Sequence, residues 1–134
     1  MEKRSDSLGR PIARDAFDCA EVLVLLCAAQ PCDAERAARL IREKQFWHVV
    51  VSGSEAARMA EQLRRLPGMP NLWLETQAQD AQDSAPRTRA LLEGKGVRPR
   101  TLALAGAEAQ LAGAAQAFAA CFPGARIFCA AQTD

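Results

Sequence analysis

Ser52, Gly53, Ser54 and Glu55 follow an apolar run, residues 49–51, and lead into a segment of helical period. Such a strand-to-helix turn can do chemistry. Free amides at the start of a helix, with the Ser52 and Ser54 hydroxyls beside them, bind an anionic or strongly polar group. The Glu55 carboxylate turns that preference away from a bare phosphate. It suits a ribose hydroxyl, an amine, a sulfonium or a metal better. A purely structural reading stands beside this one: Gly53 supplies backbone angles closed to other residues, Ser54 caps the helix, and Glu55 meets the positive end of the helix dipole.

Glu75 is the second candidate. It closes the apolar stretch "NLWLE", and a carboxylate at the end of a buried strand is costly unless it is paired or faces a cleft. Its structural alternative is a partner such as Arg36 or a backbone amide. Asp80 and Asp83 follow in "AQDAQDS", where acidic residues ahead of a helix serve either as caps or as further cleft groups.

Other chemistries have little to stand on. The phosphate-cradling pattern GxxxxGK[ST] and the dinucleotide pattern GxGxxG are both absent from the sequence. The five cysteines, Cys19, Cys27, Cys32, Cys121 and Cys129, are odd in number and lack CxxC spacing, and His48 is the one histidine. Neither a disulfide framework nor a metal site is expected. A thiol nucleophile at Cys27 or Cys32 needs a base, and His48 falls at the opposite end of its strand. The formal net charge of +1 gives no sign of a nucleic-acid partner, and Arg64 with Arg65 reads as a solvated helix end.

The elements that must position these residues alternate regularly between short apolar runs and longer helical segments, an α/β pattern. Residues 21–27 form a first strand of the continuous kind that is buried on both faces. Asp33 caps a helix ending near Lys44, with Ala34, Ala37, Ala38 and Ile41 as its apolar stripe. Residues 46–52 are the second strand, 54–66 the second helix, and "PGMP" its stop. "NLWLE" is strand three. Helical period resumes in "TRALLE", with Pro86 obscuring its start and Gly94 and Gly96 as its stop. Residues 100–106, 108–121 and 125–130 complete the series as strand, helix and strand. This predicts a five-stranded, mostly parallel sheet in one domain over residues 19–134. Residues 1 to about 18 read as a mobile arm.

The longest apolar run, residues 22–29, is far short of the roughly 20 needed for a membrane span. The polar N-terminus lacks the apolar region of a signal peptide, so a cytoplasmic chain is expected. Leu111, Ala115, Phe118 and Phe122 form a stripe suited to a core. The small residues around them permit close helix packing and hence a homodimer.

The order of these features resembles the YdcF-like group, which includes SanA-like and ElyC-like proteins. Arg36, Ser52-Gly53, Ser54-Glu55-Ala56 and Glu75 match its helix arginine, strand-terminal Ser-Gly, Ser-Glu-Ala helix start and strand-terminal glutamate. The resemblance spans about residues 21–128. It implies a three-layer Rossmann-like sandwich with a polar cleft, a nucleotide-like ligand such as S-adenosylmethionine, and a link to bacterial envelope metabolism. Its expected ligand-binding residues are Ser52, Gly53, Ser54, Glu55, Glu75, Arg36 and Asp80.

The departures are equally definite. "CAAQPCD" replaces a glycine-rich first loop, "AQDAQDS" keeps only Asp80 and Asp83 of a longer polar segment, and "AGAEAQLAG" lacks the group's histidine and arginine. General acid/base work would rest on Glu55, Glu75 and nearby aspartates alone, which disfavours catalysis. Two functions are therefore expected: a domain binding a polar small molecule at the sheet's carboxyl edge, or a catalytically degenerate protein-interaction module.

Overall fold

Parallel strands joined by helices are the architecture this alternation produces. A computed structural model of the chain describes residues 3–5, 11–14, 19–28 and 33–131. The strands are β1 (Lys3–Ser5), β2 (Pro11–Arg14), β3 (Cys19–Leu26), β4 (Gln45–Ser52), β5 (Leu72–Glu75), β6 (Thr101–Gly106) and β7 (Arg126–Ala131). The helices are α1 (Ala34–Glu43), α2 (Ala56–Arg64), α3 (Ser84–Gly94) and α4 (Glu108–Cys121).

The sheet order is β1-β2-β7-β6-β3-β4-β5, and the five strands β3 to β7 are all parallel. β1 and β2 form an antiparallel ribbon that joins the sheet through parallel pairing of β2 with β7. Both lie within residues 1–18, which the sequence reads as an arm; the ribbon is held by backbone ladders, and these need no apolar pattern that could announce them.

Strand β3 is central because it is apolar on both faces. Leu23, Leu25 and Cys27 pack toward α1 and α2, whereas Val22, Val24 and Leu26 pack toward α3 and α4. Burying each such Val or Leu side chain is worth about 1.5–3 kcal/mol, so neither helical layer can be dispensed with. The result is the three-layer Rossmann-like sandwich. The Leu111, Ala115, Phe118, Phe122 stripe of α4 is buried in the second layer's core, with the Phe118 and Phe122 rings stacked 5.9 Å apart.

Local signals set the helix ends. Asp33 caps α1 as expected, its Oδ1 accepting from the amides of Glu35 and Arg36 at 2.9 and 3.2 Å. Helix α3 starts four residues before the "TRALLE" period, at Ser84, and runs through Pro86. Pro86 is tolerated because first-turn amides have no intrahelical acceptor to lose. The helix stops where Gly96 takes φ +73° and the Val97 and Gly96 amides donate back to the Leu92 and Glu93 carbonyls at 2.9 and 3.1 Å.

Candidate functional site

Strand order reverses between β3 and β6, because β4 and β5 are laid down on one side of β3 and β6 and β7 on the other. The carboxyl edge at such a reversal is where open α/β sheets place ligands. Here the turn after β4 comes first.

Ser52 stands in register between Leu26 of β3 and Glu75 of β5. At Gly53 the chain takes φ +125°, and a Cβ there would lie 2.4 Å from both the Ala28 nitrogen and the Cys27 carbonyl carbon. Only glycine fits, for reasons of conformation and of space. The turn is then bonded to both neighbouring strand ends. The Cys27 amide donates to the Ser52 carbonyl at 2.7 Å, the Gly53 amide to the Glu75 carbonyl at 2.8 Å, and the Glu55 amide to the Cys27 carbonyl at 3.0 Å.

Ser54 does not cap α2. Its hydroxyl donates to the Ala28 carbonyl at 2.6 Å, and α2 starts two residues later than the sequence predicts, at Ala56. The cap position falls on Glu55, which makes no side-chain cap bond; its carboxylate lies 3.6 Å from Arg58 Nη1. The Ala56 amide donates to the Gly53 carbonyl at 3.0 Å. Two of the amides expected to meet a ligand thus have protein partners.

Glu75 is buried, with 6% of its surface exposed. Its Oε2 accepts from the Gln77 amide at 2.6 Å and the Ala78 amide at 3.1 Å, and its Oε1 accepts from Ser52 Oγ at 2.7 Å. Ser52 Oγ is also 2.5 Å from Ser84 Oγ, which is 3.4 Å from Thr88 Oγ1. A hydroxyl has one proton to give. Because Ser52 gives its proton to Glu75, Ser84 must donate to Ser52, and Thr88 in turn to Ser84. All three hydroxyl residues are buried, and the relay Thr88 to Ser84 to Ser52 to Glu75 delivers a hydroxyl donor to the carboxylate.

The aspartates close the same loop. Asp80 Oδ1 accepts from the Asp83 amide at 2.6 Å, and Asp83 Oδ2 accepts from the Gln79 amide at 3.1 Å and from Arg87 Nε at 2.8 Å. The hydrogen bond from Arg87, helped by the Gln79 amide, holds the Asp83 carboxyl below its ordinary value. Asp83 in turn raises the Arg87 guanidinium.

The predicted residues therefore gather at one edge, where Ser52 and Gly53 bond to Glu75 while Glu55, Arg36 and Asp80 meet other partners. Arg36 sits at the start of α1 with its Nε 3.7 Å from Asp33 Oδ2, whereas Glu75 is held by amides and a hydroxyl. Among the described residues Glu55 and Glu75 share no partner: one meets Arg58, the other turns into residues 77 and 78. At the reversal itself β6 ends in Gly106, where a Cβ would come within 3.1 Å of Leu26 Cβ, and α4 starts behind Ala107 with no side-chain cap.

Sequence reading missed Ser84 and Thr88. Their spacing of four would have marked one helix face had α3 been started before Pro86. His48 stacks on Trp73 with ring centres 4.5 Å apart, and among the described residues no cluster of metal-ligating side chains occurs. Cys27 and Cys129 are buried within apolar clusters, while Cys32 lies outside the described residues. No described helix is long and apolar enough to cross a membrane. Comparison with family models, with curated proteins and with solved structures finds no significant match to this chain.

Proposed function

We propose that this chain is a non-catalytic binding domain of the Rossmann-like class, in which the polar residues of the carboxyl edge lock strand ends together and recognition falls to other surfaces. One observation carries this reading. The Glu75 carboxylate, one of the residues expected to bind a ligand there, is buried with its oxygens engaged by two amides and the Ser52 hydroxyl. A general base must reach a substrate proton, and a ligand carboxylate must reach a ligand. Glu75 reaches the Gln77 and Ala78 amides instead. This fits a divergent relative of the YdcF-like pattern that lacks its strand-four histidine and arginine.

A second reading keeps a small polar ligand, S-adenosylmethionine or another nucleotide-like molecule, at the same edge. It is favoured by the strand reversal between β3 and β6, and by Glu55, whose side chain is 38% exposed at the start of α2.

Thermal unfolding separates the two. Under the first reading, S-adenosylmethionine, common nucleotides and sugar nucleotides leave Tm unchanged, and Glu75→Gln lowers it in their absence. Under the second, ligand at about 100 times Kd adds about 2.7 kcal/mol, and Glu55→Gln removes that gain. A ligand-dependent rise in Tm that Glu55→Gln removes would overturn the first reading.

A further inference from the structure

β5 is the last strand of the sheet on its side, and its outer edge is bare. The Gly53 amide, next to β4, donates to the Glu75 carbonyl, so Glu75 and, two residues back, Trp73 turn their backbone groups toward β4. Backbone direction alternates along a strand, which points the amides and carbonyls of Leu72 and Leu74 the other way. No strand stands there to receive them, and among the described residues none of these groups has a partner. An edge of this kind is a template for an added strand.

At the amino edge of the sheet, where strands begin and helices end, the start of β5 opens into a cleft of about 550 Å³ walled by Arg64, Leu66, Met69, Asn71, Leu72 and Trp73 among others. Its polar groups are mainly donors. Arg64 stands in the last turn of α2, exposed and, among the described residues, without a side-chain partner, whereas the neighbouring Arg65 is held by Glu61 at 2.9 Å. The amides of Gly68, Met69 and Asn71 also have no acceptor among the described residues. No acidic residue lines the cleft. The Trp73 ring is already engaged by the His48 ring and by Lys95 Nζ, at 4.5 and 4.7 Å, which fixes it as a wall and brings a second positive charge close.

We infer that β5 takes the carboxyl-terminal strand of a partner protein, antiparallel to itself, with the terminal carboxylate held by Arg64 in the cleft. The added strand supplies the acceptors and donors that Leu72 and Leu74 lack. Its direction follows from the charge, because a strand whose carboxylate ends beside the start of β5 must run opposite to β5. A guanidinium takes a carboxylate through two parallel hydrogen bonds, and free loop amides beside it accept the same group. The last side chain of the partner meets Leu66 and Met69, both half-buried, so an apolar terminal residue is expected. A second copy of this chain fits less well. In an antiparallel pair of β5 strands the start of one meets the end of the other, where Glu75 is buried and already bonded, and neither Arg64 gains an anion. The inference names a recognition surface for the non-catalytic reading without resting on it: the ligand panel read by Tm tests that reading, and peptide binding tests this one.

The test is fluorescence anisotropy with the full chain and an amino-terminally labelled peptide of about eight residues, alternating threonine and valine and ending in leucine with a free carboxylate. Binding is expected below about 1 mM. The same peptide as its carboxamide should bind at least about tenfold more weakly, the loss of a charge-assisted pair. Arg64→Ala should weaken the free acid by a similar factor and remove the difference between acid and amide, with circular dichroism unchanged. Backbone N-methylation of the peptide on one set of alternate residues should abolish binding and on the other set leave it, as pairing along one edge requires. Three outcomes overturn the inference: no binding up to about 1 mM, equal affinity of acid and amide for the unsubstituted chain, or equal effects of the two N-methylation patterns.

Discussion

At the carboxyl edge of the sheet polar side chains are turned onto the protein's own backbone; at the amino edge Arg64, Arg98 and Arg100 are exposed. Ser52, Ser54, Glu75, Asp80 and Asp83 each bond to an amide, carbonyl or side chain of this chain. Trp47 at the amino edge is exposed as well. The contrast teaches that a polar turn at the usual ligand edge is not by itself a binding site. Once a strand-end carboxylate has collected two amides and a hydroxyl, it acts as a clasp.

The sharpest way to break this comparison is Gly53→Ala. If the carboxyl edge is a clasp, a Cβ 2.4 Å from two backbone atoms, at a φ that L-residues avoid, should cost about 4 kcal/mol or more, a large part of a domain's usual stability. Urea unfolding measures it. A loss under about 1 kcal/mol would mean that the turn is loose enough to serve a ligand.

Next in size is the buried relay. Glu75→Gln places an amide group where donors already point and should cost about 2–3 kcal/mol. Ser84→Ala leaves Ser52 without its donor and should cost about 1–2 kcal/mol. The two losses should not add, since both residues act through Ser52, and a double-mutant cycle by urea unfolding reads that coupling. Additive losses would show that the hydroxyl relay is not continuous.

At the amino edge the same measurement should give almost nothing. Trp47→Ala is expected to change stability by no more than about 0.5 kcal/mol, because the side chain is exposed. A loss of stability comparable to Glu75→Gln would make Trp47 a structural residue and erase the difference between the edges.

The smallest expected effect is in acid. Asp83 has its folded-state value lowered by Arg87, so the stability it contributes is present above the ordinary carboxylate value and is lost as pH falls through the lower folded one. Asp83→Asn should flatten the acid limb of the stability profile slightly in that window, with no change near neutral pH. Its exposed position keeps the effect small.

The outline of the fold was legible because burial leaves periodic marks. The continuous Val/Leu run of β3 reads as a strand covered on both faces, and Asp33, Gly96 and the apolar stripe of α4 mark a cap, a stop and a core face. Pro86 misled because its effect depends on position in the helix, which local pattern alone does not reveal. Ser54 misled because a cap needs its oxygen to accept from the helix amides, whereas here its hydroxyl donates to the Ala28 carbonyl and α2 starts two residues on, at Ala56.

By itself, then, the sequence determined the α/β class, five strands and four helices in order, and the residue types at the strand ends, all consequences of local period and backbone preference. Tertiary structure alone decided which groups those residues meet. The strand order that sets β3 beside β6, the approach of Cys27 and Ala28 to Gly53, and the seating of Ser52 between Glu75 and Ser84 all join residues far apart in the chain. Hydrogen bonding and Coulomb attraction act over a few ångströms of space, and only packing determines which residues share them.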